Sequence, residues 1–195
     1  MPMKRDYKVK VCLVGEKAVG KTSLIRRYVL DTFEDHYLTT IGTKVSKKEI
    51  SLHDPRRDLR LHLDMTIWDI MGEKGFRQLL KESYFYGANG ILAVADVTRR
   101  RTLDDLDDWL DSAMRVTGHV PSAIVVSKTD LAKQAEFGER EVRQVARAFE
   151  STHLYASAKS GENVDGAFRL LAKEIADELL SEKADNRESI VSFSR

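Results

Sequence analysis

The chain has 195 residues, of which 42% are hydrophobic, and this length and composition suit a single domain with a substantial core. Its 32 basic and 31 acidic residues leave a net charge of +1, so no overall field favours nucleic acid or an anionic membrane as a partner. The one cysteine, Cys12, excludes an internal disulfide, and its place in an apolar run indicates a buried, reduced thiol.

The sequence shows no targeting or anchoring signal. No apolar stretch approaches the roughly 18–20 residues that a membrane-spanning helix needs, and residues 1–5 lead into a strand without the apolar region of a signal peptide. No glycine follows Met1 and no cysteine lies near Arg195, so neither myristoylation nor prenylation is expected. We therefore predict a cytoplasmic protein without a lipid anchor, and we expect a monomer.

The first predicted elements are a strand over residues 9–14 and a helix over residues 22–30, joined by a glycine-rich loop from Gly15 to Thr22. The loop has the spacing G-x-x-x-x-G-K-[ST], which lets successive backbone N–H groups surround phosphate oxygens at the N-terminus of a helix. Lys21 is placed to neutralise the outer phosphates, and the Thr22 hydroxyl to ligate Mg²⁺. This context predicts nucleoside-triphosphate binding.

The next elements are two strands over residues 45–52 and 59–68. Apolar and polar residues alternate in the second strand, and the connection over residues 53–58 contains a proline and four charged residues. A short, polar connection of this kind is typical of an antiparallel hairpin.

Beyond the hairpin, strands over residues 90–97, 123–127 and 153–156 alternate with helical apolar stripes, which is typical of a parallel sheet covered on both faces. Thr102 and Asp105 are spaced as a capping box at the start of one of these helices. Residues 181–195 are polar and lack helical periodicity, so we predict a domain over residues 1–183 and a flexible tail over residues 184–195. The predicted fold is α/β: a six-stranded, mostly parallel sheet with one antiparallel strand and helices on both faces.

Polar motifs follow three of the predicted strands. Ligands of open parallel sheets bind beyond the carboxyl ends of the strands, so these motifs should converge on the glycine-rich loop. Asp69 ends the third strand and can hold Mg²⁺, while the nearby Gly72 N–H can meet a γ-phosphate. The other two motifs are Ser127-Lys128-Thr129-Asp130 and Ala156-Ser157-Ala158-Lys159.

With these motifs in this order, the chain resembles the small GTPases of the Ras superfamily, most closely the Rab-like branch, over residues 7–180. The resemblance implies the P-loop NTPase fold (the G domain), GTP or GDP with Mg²⁺ as ligands, and a molecular switch that hydrolyses GTP to GDP and phosphate. It also implies effector, exchange and activating proteins that contact switch I, switch II (Trp68-Asp69-Ile70-Met71-Gly72) and the hairpin between them. The sequence has no basic face studded with aromatic residues, so no nucleic acid is expected as a partner. This hairpin looks longer than is usual in the family, either as a specific contact surface or as an inert longer turn.

The resemblance implies roles for residues of switch I, Thr39-Thr40-Ile41-Gly42, and the segment before it. Thr40 resembles the threonine that closes on Mg²⁺ and the γ-phosphate, Phe33 the aromatic residue that packs edge-on against guanine, and Tyr37 the one that covers the phosphates. The expected metal ligands are Thr22, Thr40 and Asp69. No His or Cys cluster has metal-ligand spacing.

The resemblance also assigns the recognition of the base. Asp130 accepts hydrogen bonds from N1–H and the exocyclic amine of guanine, Lys128 lies along the base, and the Ala158 N–H donates to guanine O6. The full set of expected nucleotide-binding residues is Gly15, Lys17, Ala18, Val19, Gly20, Lys21, Thr22, Ser23, Phe33, Tyr37, Thr40, Gly72, Ser127, Lys128, Asp130, Ser157, Ala158 and Lys159.

The sequence departs from the family pattern in two residues with implied catalytic roles; the expected catalytic set is Glu73, Lys21, Gly72 and Lys17. Glu73 stands where the family has the glutamine that orients the attacking water. A carboxylate accepts but does not donate, and it adds negative charge beside the phosphates, which predicts slow hydrolysis unless Glu73 points to solvent. Lys17 replaces a common glycine and either supplies a cation near the γ-phosphate or projects into water.

A third departure is Ser127. It replaces the asparagine that ties the base loop, residues 127–130, to the glycine-rich loop over residues 15–22, which we also call the phosphate loop. Serine reaches less far and offers fewer hydrogen bonds, so we expect one tie worth roughly 1 kcal/mol to be lost and nucleotide to exchange faster. The alternative to a switch is a module that holds GTP or GDP with little turnover. A P-loop phosphotransferase is disfavoured because no second-substrate lid is evident.

Overall fold

The protein is represented by a computed structural model that describes residues 3–34, 40, 42–72 and 82–192, with side chains described as far as residue 181. The six strands are β1 (Met3–Val14), β2 (Thr43–Asp54), β3 (Leu59–Ile70), β4 (Gly90–Asp96), β5 (Ser122–Ser127) and β6 (Thr152–Tyr155). The helices are α1 (Lys21–Leu30), α2 (Arg100–Asp104), α3 (Leu106–Thr117), a 3₁₀ helix (Thr129–Gln134), α4 (Glu139–Ala148) and α5 (Val164–Ser192).

All six strands form one sheet in the order β2-β3-β1-β4-β5-β6. β2 is antiparallel to β3, and every other neighbouring pair is parallel, so the predicted fold class is confirmed. The chain moves in opposite directions across the sheet after β1 and after β4, which leaves a crevice at the carboxyl ends of these central strands. The glycine-rich loop follows β1 and therefore lies at this crevice.

The sheet is covered on both faces by helices. α1 and α5 pack on one face, where the rings of Tyr28 and Phe168 stack with centroids 4.0 Å apart. α2, α3 and α4 pack on the other face, where Trp109 is the largest fully buried side chain. The strands β4 and β5 are buried along their whole length because both of their faces are covered, which explains their continuous apolar sequence.

Cys12 lies in the buried part of β1 as a free thiol, as the sequence predicted. Burial raises its pKa to about 12, so the thiol stays protonated and acts as a small apolar side chain.

The long hairpin contributes to the core. β1 begins at Met3, opposite Leu59, and the buried side chains Leu59 and Leu61 pack against Ala176 and Leu180 of α5. These four residues form a separate apolar group, which we call the hairpin cluster. The end of the hairpin next to its turn therefore buries apolar surface on one face of the sheet.

The hairpin turn is closed by a side chain. The Asp54 carboxylate accepts hydrogen bonds from the backbone N–H groups of Arg56 (2.9 Å) and Arg57 (3.3 Å) and pairs with the Arg57 guanidinium at 3.0 Å. This arrangement is an Asx-turn, and it lets β2 and β3 remain paired up to Asp54 and Leu59. The antiparallel hairpin is thus confirmed, and its loop is shorter than the sequence suggested.

Two local predictions were wrong. Thr102 lies inside α2 and does not cap a helix; its hydroxyl accepts from the Asp96 N–H at 2.9 Å and lies 2.7 Å from the Arg99 carbonyl oxygen. The last helix continues to Ser192, so the segment from residue 181 is helical as far as that residue. Periodicity detects only helices with an apolar stripe, and this segment is helical without one. The predicted domain boundary falls within α5, and the flexibility of residues 184–195 stays a prediction.

No helix in the described parts of the chain is both long and apolar enough to cross a bilayer.

Candidate functional site

A cavity of about 420 Å³ lies at the crevice predicted by the strand order. Most of the residues expected to bind nucleotide line it together: Lys17, Ala18, Val19, Gly20, Lys21, Thr22, Ser23, Phe33, Thr40, Gly72, Ser127, Lys128, Asp130, Ala158 and Lys159. Gly15 and Ser157 are buried and are not among the residues that line the cavity. Tyr37 and Glu73 lie outside the described residues.

The glycine-rich loop encloses the Lys21 ammonium. Its Nζ donates to the carbonyl oxygens of Gly15 (2.6 Å) and Glu16 (2.9 Å), and the side chain is buried. Burial lowers the pKa of Lys21 to about 8, although the carboxylates of Asp69 and Glu16 act in the opposite direction. An anionic ligand that entered the cavity would therefore interact strongly with this buried ammonium group.

The loop requires glycine where it approaches other backbone. Gly15 has φ +130°, and a Cβ there would overlap the Val94 carbonyl of β4. Gly72 approaches the loop from β3: a Cβ there would lie 2.5 Å from the Lys17 nitrogen and 2.5 Å from the Glu16 carbonyl carbon. The end of β3 is thus in direct contact with the glycine-rich loop.

The three expected metal ligands lie together. The Thr22 hydroxyl donates to Asp69 Oδ2 at 2.5 Å, and the hydroxyl oxygens of Thr22 and Thr40 are 2.9 Å apart. Asp69 is buried, and its second oxygen, Oδ1, has no hydrogen-bond partner among the described residues. Burial raises the pKa of Asp69, against the effect of the Thr22 hydrogen bond and the Lys21 charge.

This donor set suits Mg²⁺. It consists only of oxygen atoms, which Mg²⁺ prefers, and the unpartnered Asp69 Oδ1 offers a buried lone pair to a metal-bound water. Within the described ranges no group of three or more His, Cys, Asp or Glu side chains could hold a metal by itself. A metal here would therefore depend on additional oxygen ligands, such as the phosphates of a nucleotide.

The two loops after β5 and β6 hold each other. The Ser157 hydroxyl donates to Asp130 Oδ1 at 2.6 Å and accepts from the Ser160 N–H at 3.2 Å. The side chain of Arg27 from α1 donates to the carbonyl oxygens of Ala158 (2.8 Å) and Lys159 (3.0 Å). These contacts fix the Asp130 carboxylate and the backbone around Ala158 at the edge of the cavity.

Ser127 does reach the phosphate loop. Its buried hydroxyl oxygen lies 2.5 Å from the Val19 carbonyl oxygen and 2.9 Å from the Ala95 carbonyl oxygen, so its single hydrogen is shared between these acceptors. The expectation that this substitution removes the tie was wrong, because the two loops are close enough for the shorter side chain. The expectation of faster exchange loses its structural support.

The sequence analysis missed a second carboxylate at a strand end. Asp96 ends β4 and accepts four hydrogen bonds: from the N–H (3.0 Å) and hydroxyl (2.8 Å) of Thr98, from Arg99 Nε (2.9 Å) and from Lys128 Nζ (2.7 Å). Burial alone would raise its pKa, but the hydrogen bonds from Lys128 and Thr98 lower it. Asp96 lies inside the strand predicted over residues 90–97, so the pattern that found Asp69, an acidic residue directly after a predicted strand, did not apply to it; an acidic residue near the end of an apolar run is the signal that could have found it.

Arg99 connects this carboxylate to the glycine-rich loop. Its Nη2 donates to the Lys17 carbonyl oxygen at 3.0 Å, while its Nε binds Asp96. Arg99 belongs to the run Arg99–Arg101, which the sequence alone indicates most simply as a solvated loop, with contact to an acidic partner or a phosphate as the lesser alternative.

Comparisons with known proteins agree with this geometry. The sequence model of the Ras family matches residues 10–177. The chain is 30% identical to "Ras-related protein Rab-1" of Theileria parva over 97% of this chain and 84% of the relative. It is 32% identical to "GTP-binding protein ypt2" of Schizosaccharomyces pombe (87% and 82%) and 32% identical to "Ras-related protein RIC1" of Oryza sativa subsp. japonica (93% and 87%).

Proposed function

Because this chain belongs to the Ras family and is a Rab-like small GTPase that binds GTP or GDP with Mg²⁺, we propose that the residues of the cavity form its nucleotide site and that hydrolysis there is slow. The observation that carries the assignment of the site is the convergence of Thr22, Thr40 and Asp69 beside the buried Lys21. Three separate segments of the chain, residues 21–22, 40 and 69, meet at that point.

The phosphates bind along the loop from Gly15 to Thr22, with Lys21 turned toward the β- and γ-phosphates of GTP. Thr22 and Thr40 would supply hydroxyl oxygens to Mg²⁺, and Asp69 would hold it through a bound water at the unpartnered Oδ1. When bound, Mg²⁺ neutralises the charge that develops on the phosphates during hydrolysis. Gly72 lies just beyond the end of β3 and against the backbone of Glu16 and Lys17, and its N–H would donate to the γ-phosphate.

The base binds between the loops after β5 and β6. Asp130 is oriented by Ser157 and presents its carboxylate to N1–H and the exocyclic amine of guanine, which adenine does not offer together. Lys128 lies along the base and is held by Asp96. The Ala158 N–H donates to guanine O6. Phe33 is partly buried against the core on the face of the sheet that α1 covers, and its ring contacts the base edge-on.

A cytoplasmic location fits the reduced, buried Cys12. As a family member the protein works with effector, exchange and activating proteins, and we propose that these contact switch I, switch II and the outer surface of the hairpin.

Hydrolysis is in-line attack of water on the γ-phosphate, and Glu73 in place of glutamine slows it. The carboxylate cannot donate toward the γ-phosphate and repels its charge. We expect Glu73→Gln to raise the single-turnover rate of GTP hydrolysis at least about tenfold, because it restores one donor aimed at developing charge. Fast hydrolysis by the wild type that slows in Glu73→Gln would contradict this proposal.

Lys17 is a second candidate for a role in hydrolysis. Its side chain is exposed at the edge of the cavity, where it can reach the γ-phosphate as a cation in cis. An unchanged hydrolysis rate in Lys17→Ala would remove it from the catalytic set.

The second candidate function is a module that holds GTP or GDP persistently, which Glu73 favours. One experiment separates the two: load the purified protein with GTP and Mg²⁺, and chromatograph the bound nucleotide over time. Conversion to GDP supports the switch, and unchanged GTP supports the module. Retention of ATP in a competing mixture would contradict the assignment of Asp130.

A further inference from the structure

One residue of the phosphate loop has an energetically unfavourable backbone conformation. Ala18 has φ 62°, in the left-handed region that residues other than glycine rarely adopt. Such a conformation costs of order 1–3 kcal/mol and persists only when surrounding contacts determine it. The preceding residue, Lys17, has its carbonyl oxygen bonded to Arg99 Nη2 at 3.0 Å.

Arg99 is itself held firmly. Its Nε donates to Asp96 Oδ2 at 2.9 Å, and the Asp96 side chain is only 1% exposed. The other contacts of Asp96, to Thr98 and Lys128, leave this carboxylate little freedom to move. The planar guanidinium can therefore bridge a fixed anchor and the loop carbonyl with two different nitrogen atoms.

The bridge determines where the next N–H points. No cis peptide bond occurs in the described residues, and in a trans peptide the C=O and N–H point in opposite directions. Because Arg99 holds the Lys17 C=O toward α2, the N–H of Ala18 in the same peptide points the opposite way. Ala18 lines the cavity, so an N–H that points away from Arg99 is available to the space proposed for the phosphates.

We propose that Arg99 is a positioning residue for the phosphate loop: anchored on Asp96, it holds the Lys17 carbonyl and so directs the Ala18 N–H toward the phosphates. The same carboxylate binds Lys128, so one buried group joins the phosphate loop to the base loop. Arg99 is also close enough to Lys21 for its charge to lower the pKa of that lysine, although burial is the larger cause. The proposal rests on the assignment of residues 15–22 as the phosphate loop.

The test compares Arg99→Ala with Arg101→Ala in the GDP-bound protein. Arg101 is in the same arginine run, its side chain is 82% exposed, and its ion pair is with Asp105 rather than with the loop. The two variants lose the same charge from positions two residues apart at the start of α2. Two quantities are measured: the rate of GDP release and the ³¹P chemical shift of the β-phosphate of bound GDP.

We expect Arg99→Ala to release GDP about tenfold faster, a factor that corresponds to about 1.4 kcal/mol, and to shift the β-phosphate resonance. Arg101→Ala should leave both unchanged. A role in stability alone would lower the melting temperature of Arg99→Ala but would not move the resonance. Arg99→Lys keeps the charge but loses the planar fork, so we expect release at least about threefold faster than wild type.

The proposal is overturned if Arg99→Ala matches wild type in either quantity, or if Arg101→Ala changes both to the same extent. It is also overturned if Arg99→Lys restores the wild-type rate, since charge alone would then suffice. A wild-type protein that retained no GDP would instead contradict the nucleotide site itself, so failure of the site and failure of the Arg99 proposal are distinguishable.

Discussion

At the scale of single residues, Ser127 tests whether the phosphate loop is held by contacts behind it. Its hydroxyl donates to the Val19 carbonyl, and loss of a buried hydrogen bond of this kind costs about 1 kcal/mol. We expect Ser127→Ala to release GDP about fivefold faster, measured with a fluorescent GDP analogue.

Ser122→Ala is the matched control for Ser127→Ala. Ser122 is a buried serine at the other end of the same strand, where its hydroxyl pairs with that of Ser151. Both variants should lose stability, but only Ser127→Ala should change release. Equal release rates in the two variants would mean that the contact with Val19 does not hold the loop.

At the scale of elements, the hairpin cluster tests what the long β2–β3 hairpin is for. Leu61 is 3% exposed and packs against α5. Truncation of a buried leucine removes apolar contacts and leaves a cavity, so Leu61→Ala should lower the free energy of unfolding of the GDP-bound protein by about 2–4 kcal/mol in urea. GDP release should remain within about twofold of wild type, because the cluster lies far along β3 from Asp69.

Arg60→Ala controls for the position in the hairpin, because Arg60 is the exposed neighbour on the same strand. An exposed substitution of this kind usually changes stability by less than about 0.5 kcal/mol. If Leu61→Ala were equally mild, the extra length of the hairpin would not serve the core, and the partner-contact interpretation would gain support.

The elements also show what the sequence could and could not predict. The sheet was predictable because its strands are continuous or alternating apolar runs, and Asp69 because it follows one of them. Asp96 is the last residue of β4 and lay inside the predicted strand, and its partner Arg99 stands in a run of three arginines that is indistinguishable in sequence from solvated charge. The reach of Ser127 depends on the separation of two loops, which residue types do not encode. The length of α5 was missed because its last part has no apolar stripe.

At the scale of the whole molecule, the proposed site joins parts of the chain that are remote in sequence. Thr22 lies in the first turn of α1, Thr40 precedes β2, and Asp69 lies near the end of β3. A metal bound to all three residues would therefore connect both switches to the phosphate loop. A ligand that binds only the folded state also stabilises it in proportion to the logarithm of its concentration. Nucleotide, metal and fold should therefore be coupled thermodynamically.

Removal of the metal tests this coupling. Chelation of Mg²⁺ by EDTA removes the cation that would neutralise the phosphates between Thr22, Thr40 and Asp69, so we expect GDP release at least about tenfold faster, which corresponds to about 1.4 kcal/mol. Excess Mg²⁺ over EDTA should restore slow release. Thr22→Ala removes one of the proposed direct ligands, so release from this variant should be fast in Mg²⁺ and should accelerate little further in EDTA. If Thr22→Ala remained as sensitive to EDTA as wild type, the metal would be held elsewhere, and the cluster of Thr22, Thr40 and Asp69 would be a hydrogen-bonded link between the switches rather than the metal site.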